Sequence, residues 1–319
     1  MNHKKHERCY YVDWLRVMAM FMIFVFHCSR FFDHIEWHVK NAEASIGFSL
    51  FTGFTHQWII PFFFLLSGAA SRFFLNVRTP WQYVGARFKR LLVPYLFGIL
   101  FLIPPQKYIE AVFYNRFSGN YLYFLPQYFS VNNLWIDSSL RFLGHYGLHL
   151  WFLSFLFLFS LTALPLFMLL KKESPRHFIL KIASFCSKPG VILLLPVLTI
   201  AIIQTSLRRF FPDYLHWADT FYWFTFLIFG YLIFSDKKFE EAISKHGKLA
   251  LVLGVVCYIG IIFWYLLSDW APVQPGFNRT TGFIFFSILC SLNAWCWVMF
   301  FLYAGQRFMN VKNKTLKYT

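Results

Sequence analysis

Eight apolar runs follow one another along the 319-residue chain, with short polar segments between them. They cover residues 12–32, 57–75, 88–105, 149–170, 189–207, 218–235, 249–268 and 281–304. Each approaches the ~20 residues that a helix needs to cross a bilayer core about 30 Å thick. Composition agrees: 58% of residues are hydrophobic and only 14% are charged, with 44 Phe, whereas a soluble domain is nearer a quarter charged. The expected fold is an all-α, polytopic integral membrane helical bundle of about eight spans. No internal repeat or soluble domain interrupts it, so residues 1–319 read as one membrane domain.

A net charge of +16 would suit a nucleic-acid partner, but its placement excludes one. The Lys and Arg residues cluster in short segments between apolar runs. When the segments are assigned to alternating sides, 22 of the 30 fall on the side of the amino terminus and 8 on the other. That bias places both termini in the cytoplasm. Lys4, Lys5 and Arg8 precede the first run, yet no small-residue cleavage site follows it, so the first helix is expected to remain as an anchor. Six cysteines form no CxxC pair and read as buried or reduced thiols, without a disulfide framework or a zinc site.

The first run, YYVDWLRVMAMFMIFVFHCSRFF, carries two groups foreign to lipid, Arg16 and His27. Eleven residues at about 100° each come to about 20° past three full turns, so both side chains lie on one face. They stand about 16 Å apart along the axis, half a hydrocarbon core. With Arg16 at one surface, His27 lies near the midplane, where an ionisable side chain marks a functional site by default. Each residue alone also fits a structural role, the histidine bonded to a neighbouring helix and the arginine reaching to headgroups.

Other signals are weaker. Ser67, Gly68, Ala69 and Ala70 in the second run suit close helix packing. Arg87 and Arg90, three apart in RFKR, could clamp a phosphate, although basic residues at a cytoplasmic edge satisfy topology alone. His145 and His149 are four apart but lack a nearby third ligand, so no metal site is expected. Residues 33–56 and 106–148, rich in aromatics, amides and a few carboxylates, suit either an interfacial belt or sugar binding. No GxxxxGK[ST], HExxH or GxSxG is present. Nor is a histidine followed by aspartate five residues on: Asp33 lies six after His27. An ATP-driven pump, a zinc protease and an esterase are thereby disfavoured.

In combination these residues resemble the membrane-bound acyltransferase 3 family, in particular its glucan biosynthesis branch. The carriers are YVDWLR leading from Arg16 to His27, PFFFLLSG from Pro61 to Gly68, and the Arg87–Arg90 pair. WHVKN (Trp37 to Asn41), PPQKY (Pro104 to Tyr108) and HLWFL (His149 to Leu153) add to them. The resemblance implies a family fold of about ten helices, of which this chain would hold eight, with the tail at Lys312–Thr319 lying in the loop before the next. It further implies transfer of an acyl group from cytoplasmic acyl-CoA to a sugar hydroxyl across a bacterial inner membrane, with no tightly bound cofactor. His27 would be the general base, Arg16 and Asp13 its partners on the donor path, and Arg87 and Arg90 the phosphate clamp. Asp33, Glu36, Trp37, His56, His149 and Trp151 are candidates for holding the carbohydrate acceptor. A transporter or flippase for a lipid-linked sugar or small acid is the alternative, since a buried His and Arg also suit a proton-coupled path.

Overall fold

The computed structural model describes residues 9–130, 141–267 and 281–311, and every regular element among them is helical. Lys4, Lys5, Arg8, Arg279 and the tail Lys312–Thr319 lie outside the described residues. Helix α1 spans Tyr10–Ser29. Helix α2 spans Ile46–Val77 and starts well before the expected residue 57, because small and apolar residues extend the helix outward from Ser45.

The third apolar run is helical but broken. Thr79 caps α3 (Pro80–Arg87) through a capping box with Gln82, and Pro80 occupies the first turn. A π-helical turn, Phe88–Leu92, leads into α4 (Val93–Phe97), and a second, Gly98–Leu102, leads into α5 (Ile103–Phe113). Each wide turn lies just before a proline, Pro94 or Pro104. A proline ring clashes with the carbonyl four residues back, and widening the turn relieves that clash.

Helix α6 (Tyr121–Tyr128) and α7 (Arg141–Gly147) follow, and one 3₁₀ turn joins α7 to α8 (Trp151–Leu170). Helix α9 (Glu173–Cys186) occupies what reads as a polar connector, and α10 covers Val191–Leu207. Helix α11 (Trp217–Ile233), α12 (Lys237–Leu267) and α13 (Thr281–Phe308) complete the order.

Among the described residues, five helical stretches are long and apolar enough to cross a membrane: α1, α2, the α7–α8 stretch, α12 and α13. A sixth arises if α9 and α10, bent by 112°, count as one span. Length and apolar character alone do not confirm the expected count of about eight. Residues 88–105 are divided by the π turns, and α11 has only 17 residues.

Helix α2 is the central wall, packed against α1, α11 and α13. Its crossing with α11 brings backbone against backbone. A Cβ at Gly68 would lie 2.0 Å from the Leu227 carbonyl oxygen, and one at Gly230 would lie 1.9 Å from that of Leu65. Small residues are therefore required at this crossing. The core around it is aromatic, with Trp58, Phe62, Phe64, Phe226 and Trp295 fully buried.

Candidate functional site at the two ends of the first helix

Because α1 is unbroken from Tyr10 to Ser29, the spacing of Arg16 and His27 holds in the fold. Met20, Phe21 and Phe24 form the outward stripe of α1, while Tyr11, Leu15, Ala19 and Phe26 face the core. Arg16 and His27 lie between these stripes and are half-buried.

At the amino-terminal end, Arg16 pairs with Asp13 at 3.4 Å and donates to the Leu66 carbonyl of α2 at 3.4 Å. A cavity of about 200 Å³ opens beside them, lined by Asp13, Arg16, Val17, Met20, Phe63, Leu66 and Ser67. Arg87 reaches the next turn of α2 from the other side. It donates to Ser71 Oγ at 2.8 Å and to the Ser67 carbonyl at 3.5 Å, and its guanidinium lies 4.9 Å from the Tyr83 ring centre. Two guanidinium groups thus converge on neighbouring carbonyls of one helix. Arg90 does not join them. It sits on the π turn, its side chain is exposed, and it makes no side-chain hydrogen bond or ion pair among the described residues.

At the other end, the His27 ring meets Phe26 at 5.4 Å, Trp37 at 5.9 Å and His149 at 6.1 Å. None of the side-chain hydrogen bonds among the described residues involves the His27 ring. Its charged or titratable neighbours are His149, Arg30 and His38. His56, exposed, faces Phe26 at 6.5 Å and Tyr214 at 6.2 Å. The structure thus draws His27, Trp37, His56 and His149 into one aromatic and imidazole cluster.

Three expected acceptor contacts have other surroundings. Asp33 is fully buried and bound to Arg30, to Lys40 Nζ at 2.6 Å and to Thr52 Oγ1 at 3.0 Å. Burial opposes its charge, but the Lys40 ammonium, the Arg30 guanidinium and the Thr52 hydroxyl outweigh that and hold the carboxyl below its usual range. Asp33 ties the segment after α1 to α2 and presents no free carboxylate. Trp151 is buried, its ring 4.6 Å from that of Trp223. The Glu36 side chain is exposed, and its backbone carbonyl accepts from Arg30 at 2.9 Å.

Sequence reasoning missed His38 and Glu110. Glu110 Oε2 lies 2.9 Å from His38 Nδ1 and accepts from Lys107 at 3.2 Å. A carboxylate on one ring nitrogen fixes the tautomer and leaves the other nitrogen available. Arg30 lies 4.5 Å over the Trp37 ring and completes this layer. The signal was present in part: His38 sits in WHVKN, and Glu110 follows PPQKY by two residues.

A family model described as Acyltransferase domain matches residues 10–318. The chain belongs to the acyltransferase 3 family. Within it, the chain is 35% identical over 107 residues to glucans biosynthesis protein C of Escherichia coli SMS-3-5, covering 33% of this chain and 28% of that protein. The protein of the same name from Escherichia coli K12 is 34% identical over a match of the same extent. The chain thus spans little more than a quarter of the length of the curated relatives it matches. No solved structure matches it. Among the described residues of this acyltransferase 3 chain, no group of three or more His, Cys, Asp or Glu could hold a metal ion.

Proposed function

We propose that the protein is a membrane O-acyltransferase of a bacterial inner membrane, with both termini in the cytoplasm. It takes a small acyl group such as succinyl or acetyl from cytoplasmic acyl-CoA. It places that group on a sugar hydroxyl of an extracytoplasmic glycan. The relatives named glucans biosynthesis protein C favour a glucan as that acceptor. Acyl-CoA acts as a substrate and not as a held cofactor, and residues 1–319 act as one transmembrane domain.

One observation carries this reading: a single unbroken helix joins a cavity lined by the Arg16–Asp13 pair to an imidazole and aromatic cluster at His27. Phosphates suit guanidinium forks, and sugars suit ring faces beside hydrogen-bonding groups. Arg16, oriented by Asp13, and Arg87 hold the CoA phosphates, while Arg90 adds only surface charge. About 16 Å of helix separates Arg16 from His27, a distance the extended pantetheine arm of CoA can bridge. Trp37, His56 and His149 line the acceptor side.

In the transfer step, neutral His27 accepts the proton of the sugar hydroxyl as its oxygen attacks the thioester carbonyl. The carbon–oxygen bond forms, the carbon–sulfur bond breaks, and the proton passes to the departing thiolate. The products are a glycan ester and free CoA. Mass spectrometry of envelope glycans, from cells carrying the protein or its His27→Ala variant, tests the assignment. The ester mass increment is expected only with the unaltered protein. An undiminished increment in the variant, with normal membrane insertion, rejects His27 as the base.

A further inference from the structure

Helix α9 lies outside this transfer site, in the basic segment between α8 and α10. Residues 171–188 carry Lys171, Lys172, Arg176, Lys181 and Lys188 against the single carboxylate Glu173. The helix has three distinct sides. Ile179, Ala183 and Cys186 face the core and are buried. Phe178 and Phe185 emerge together along one flank, 62% and 47% exposed. Opposite the core, His177, Leu180, Lys181, Ser184, Phe185 and Lys188 line an open groove of about 450 Å³, and no carboxylate is among them.

The orientation of α9 is fixed by its junction with α10. Pro189 ends the chain's helical course, and Gly190 takes a left-handed φ of 75°. The Gly190 N–H donates to His246 Nε2 of α12 at 3.1 Å, which pins the turn. The two helices are bent by 112°, so with α10 along the membrane normal, α9 lies within about 22° of the membrane plane. A helix lying flat there, with an aromatic flank and a basic outer face, has the form of an interfacial helix. Two contacts shape the groove for an anion. Lys188 Nζ lies 5.3 Å from the Phe185 ring centre, its charge carried beside an aromatic face. Lys238 of α12 donates to Ser184 Oγ at 2.7 Å and brings a further cation to the rim.

We propose that α9 seats an anionic phospholipid, with the headgroup phosphate against Lys181, Ser184 and Lys188 and the acyl chains along Phe178 and Phe185. The charge complementarity is with the anionic cytoplasmic leaflet, the side to which the positive bias assigns this segment. The site does not depend on the transfer chemistry, and a transporter built on this fold would keep it.

Native mass spectrometry of the whole protein in detergent tests the proposal, with phosphatidylglycerol or phosphatidylcholine added. Phosphatidylglycerol is expected to stay bound where phosphatidylcholine is shed, and inorganic phosphate is expected not to displace it. Lys181→Gln with Lys188→Gln should weaken phosphatidylglycerol binding about 30-fold, from the loss of two charges near the headgroup. Lys181→Arg with Lys188→Arg should retain it. For the unaltered protein, binding should fall steeply as salt is raised. Equal retention by the Gln pair, equal retention of both lipids, displacement by free phosphate, or indifference to salt each overturns the proposal.

Discussion

Around Arg16, α1 meets α2 through charge, and around His27 it meets its neighbours through rings. Arg16 is held by a carboxylate three residues away and by a backbone carbonyl of α2. Arg87 is held by the next carbonyl along and by a serine. Around His27 the contacts are ring to ring at 5.4–6.1 Å, and the hydrogen bonds belong to a second layer, in His38 and Glu110. One guanidinium lining a cavity, with a second held on the neighbouring carbonyl of α2, suits a charged ligand whose position must be set. A half-buried imidazole among rings suits a group that must stay neutral and gain or lose a proton. On the proposed function, binding falls to one end of the helix and chemistry to the other.

The largest effect is expected at the chemical end. His27→Ala should reduce acyl transfer by about 10²–10⁴-fold, the usual worth of a positioned general base, with little change in apparent affinity for acyl-CoA. Kinetics of the purified protein separate the two quantities. A variant that lost donor affinity instead would merge the two ends into one site.

Arg87→Ala should act in the opposite sense. Losing a charged hydrogen-bond partner of the donor costs about 1.5–3 kcal/mol, or about 10–150-fold in acyl-CoA affinity, with a smaller change in turnover. Arg90→Ala is the internal control, and titration of acyl-CoA into both variants should show it within a few-fold of the unaltered protein. Equal losses at both positions would restore the expected Arg87–Arg90 clamp and displace Arg16 from it.

Much of this contrast was legible in the sequence, because α1 is long, apolar and unbroken, and spacing along such a helix translates directly into a shared face. The tight approach at Gly68 was legible for the same reason. Other elements were not. Helix α9 and the first turns of α12 read as polar connectors, since a hydropathy average over a membrane-spanning length registers their lysines. Their helicity lies in a periodicity: Ile179, Ala183 and Cys186 in one, Phe239, Ala242, Ile243 and His246 in the other. The π turn ahead of Pro94, on which Arg90 sits, changes the angular spacing from Arg87 in a way that counting residues at 3.6 per turn does not capture. The His38–Glu110 contact joins residues 72 apart, which no local pattern encodes.

Both ends of α1 are built against α2, so a change in the seating of α2 should disturb them together. Gly68→Ala places a methyl group 2.0 Å from the Leu227 carbonyl, where only backbone movement relieves the clash. A cost of about 1–3 kcal/mol is expected, read as a lower unfolding temperature in detergent, with transfer and donor binding both weakened. If either function survived intact at reduced stability, the two ends would be mechanically separable.

The smallest expected effect belongs to the segment between α1 and α2, which Asp33 fastens to α2 through Arg30, Lys40 and Thr52. The carboxyl is held below its usual range, so the folded protein binds fewer protons than the unfolded chain as pH falls past the ordinary aspartate value of about 3.9. The stabilisation from this network is therefore complete above that value and is lost as pH falls through it toward the lower folded value. Thermal unfolding followed from pH 6 downward should show an acid limb that Asp33→Asn flattens, because the amide cannot titrate. Asp33→Asn should also lower stability at pH 6, where the carboxylate is charged, while leaving acyl-CoA affinity unchanged, since Arg16 and Arg87 lie at the far end of α1. An unaltered acid limb in the variant would place the titrating group elsewhere. A loss of donor affinity would show that the segment after α1 and the Arg16 cavity are coupled through α2.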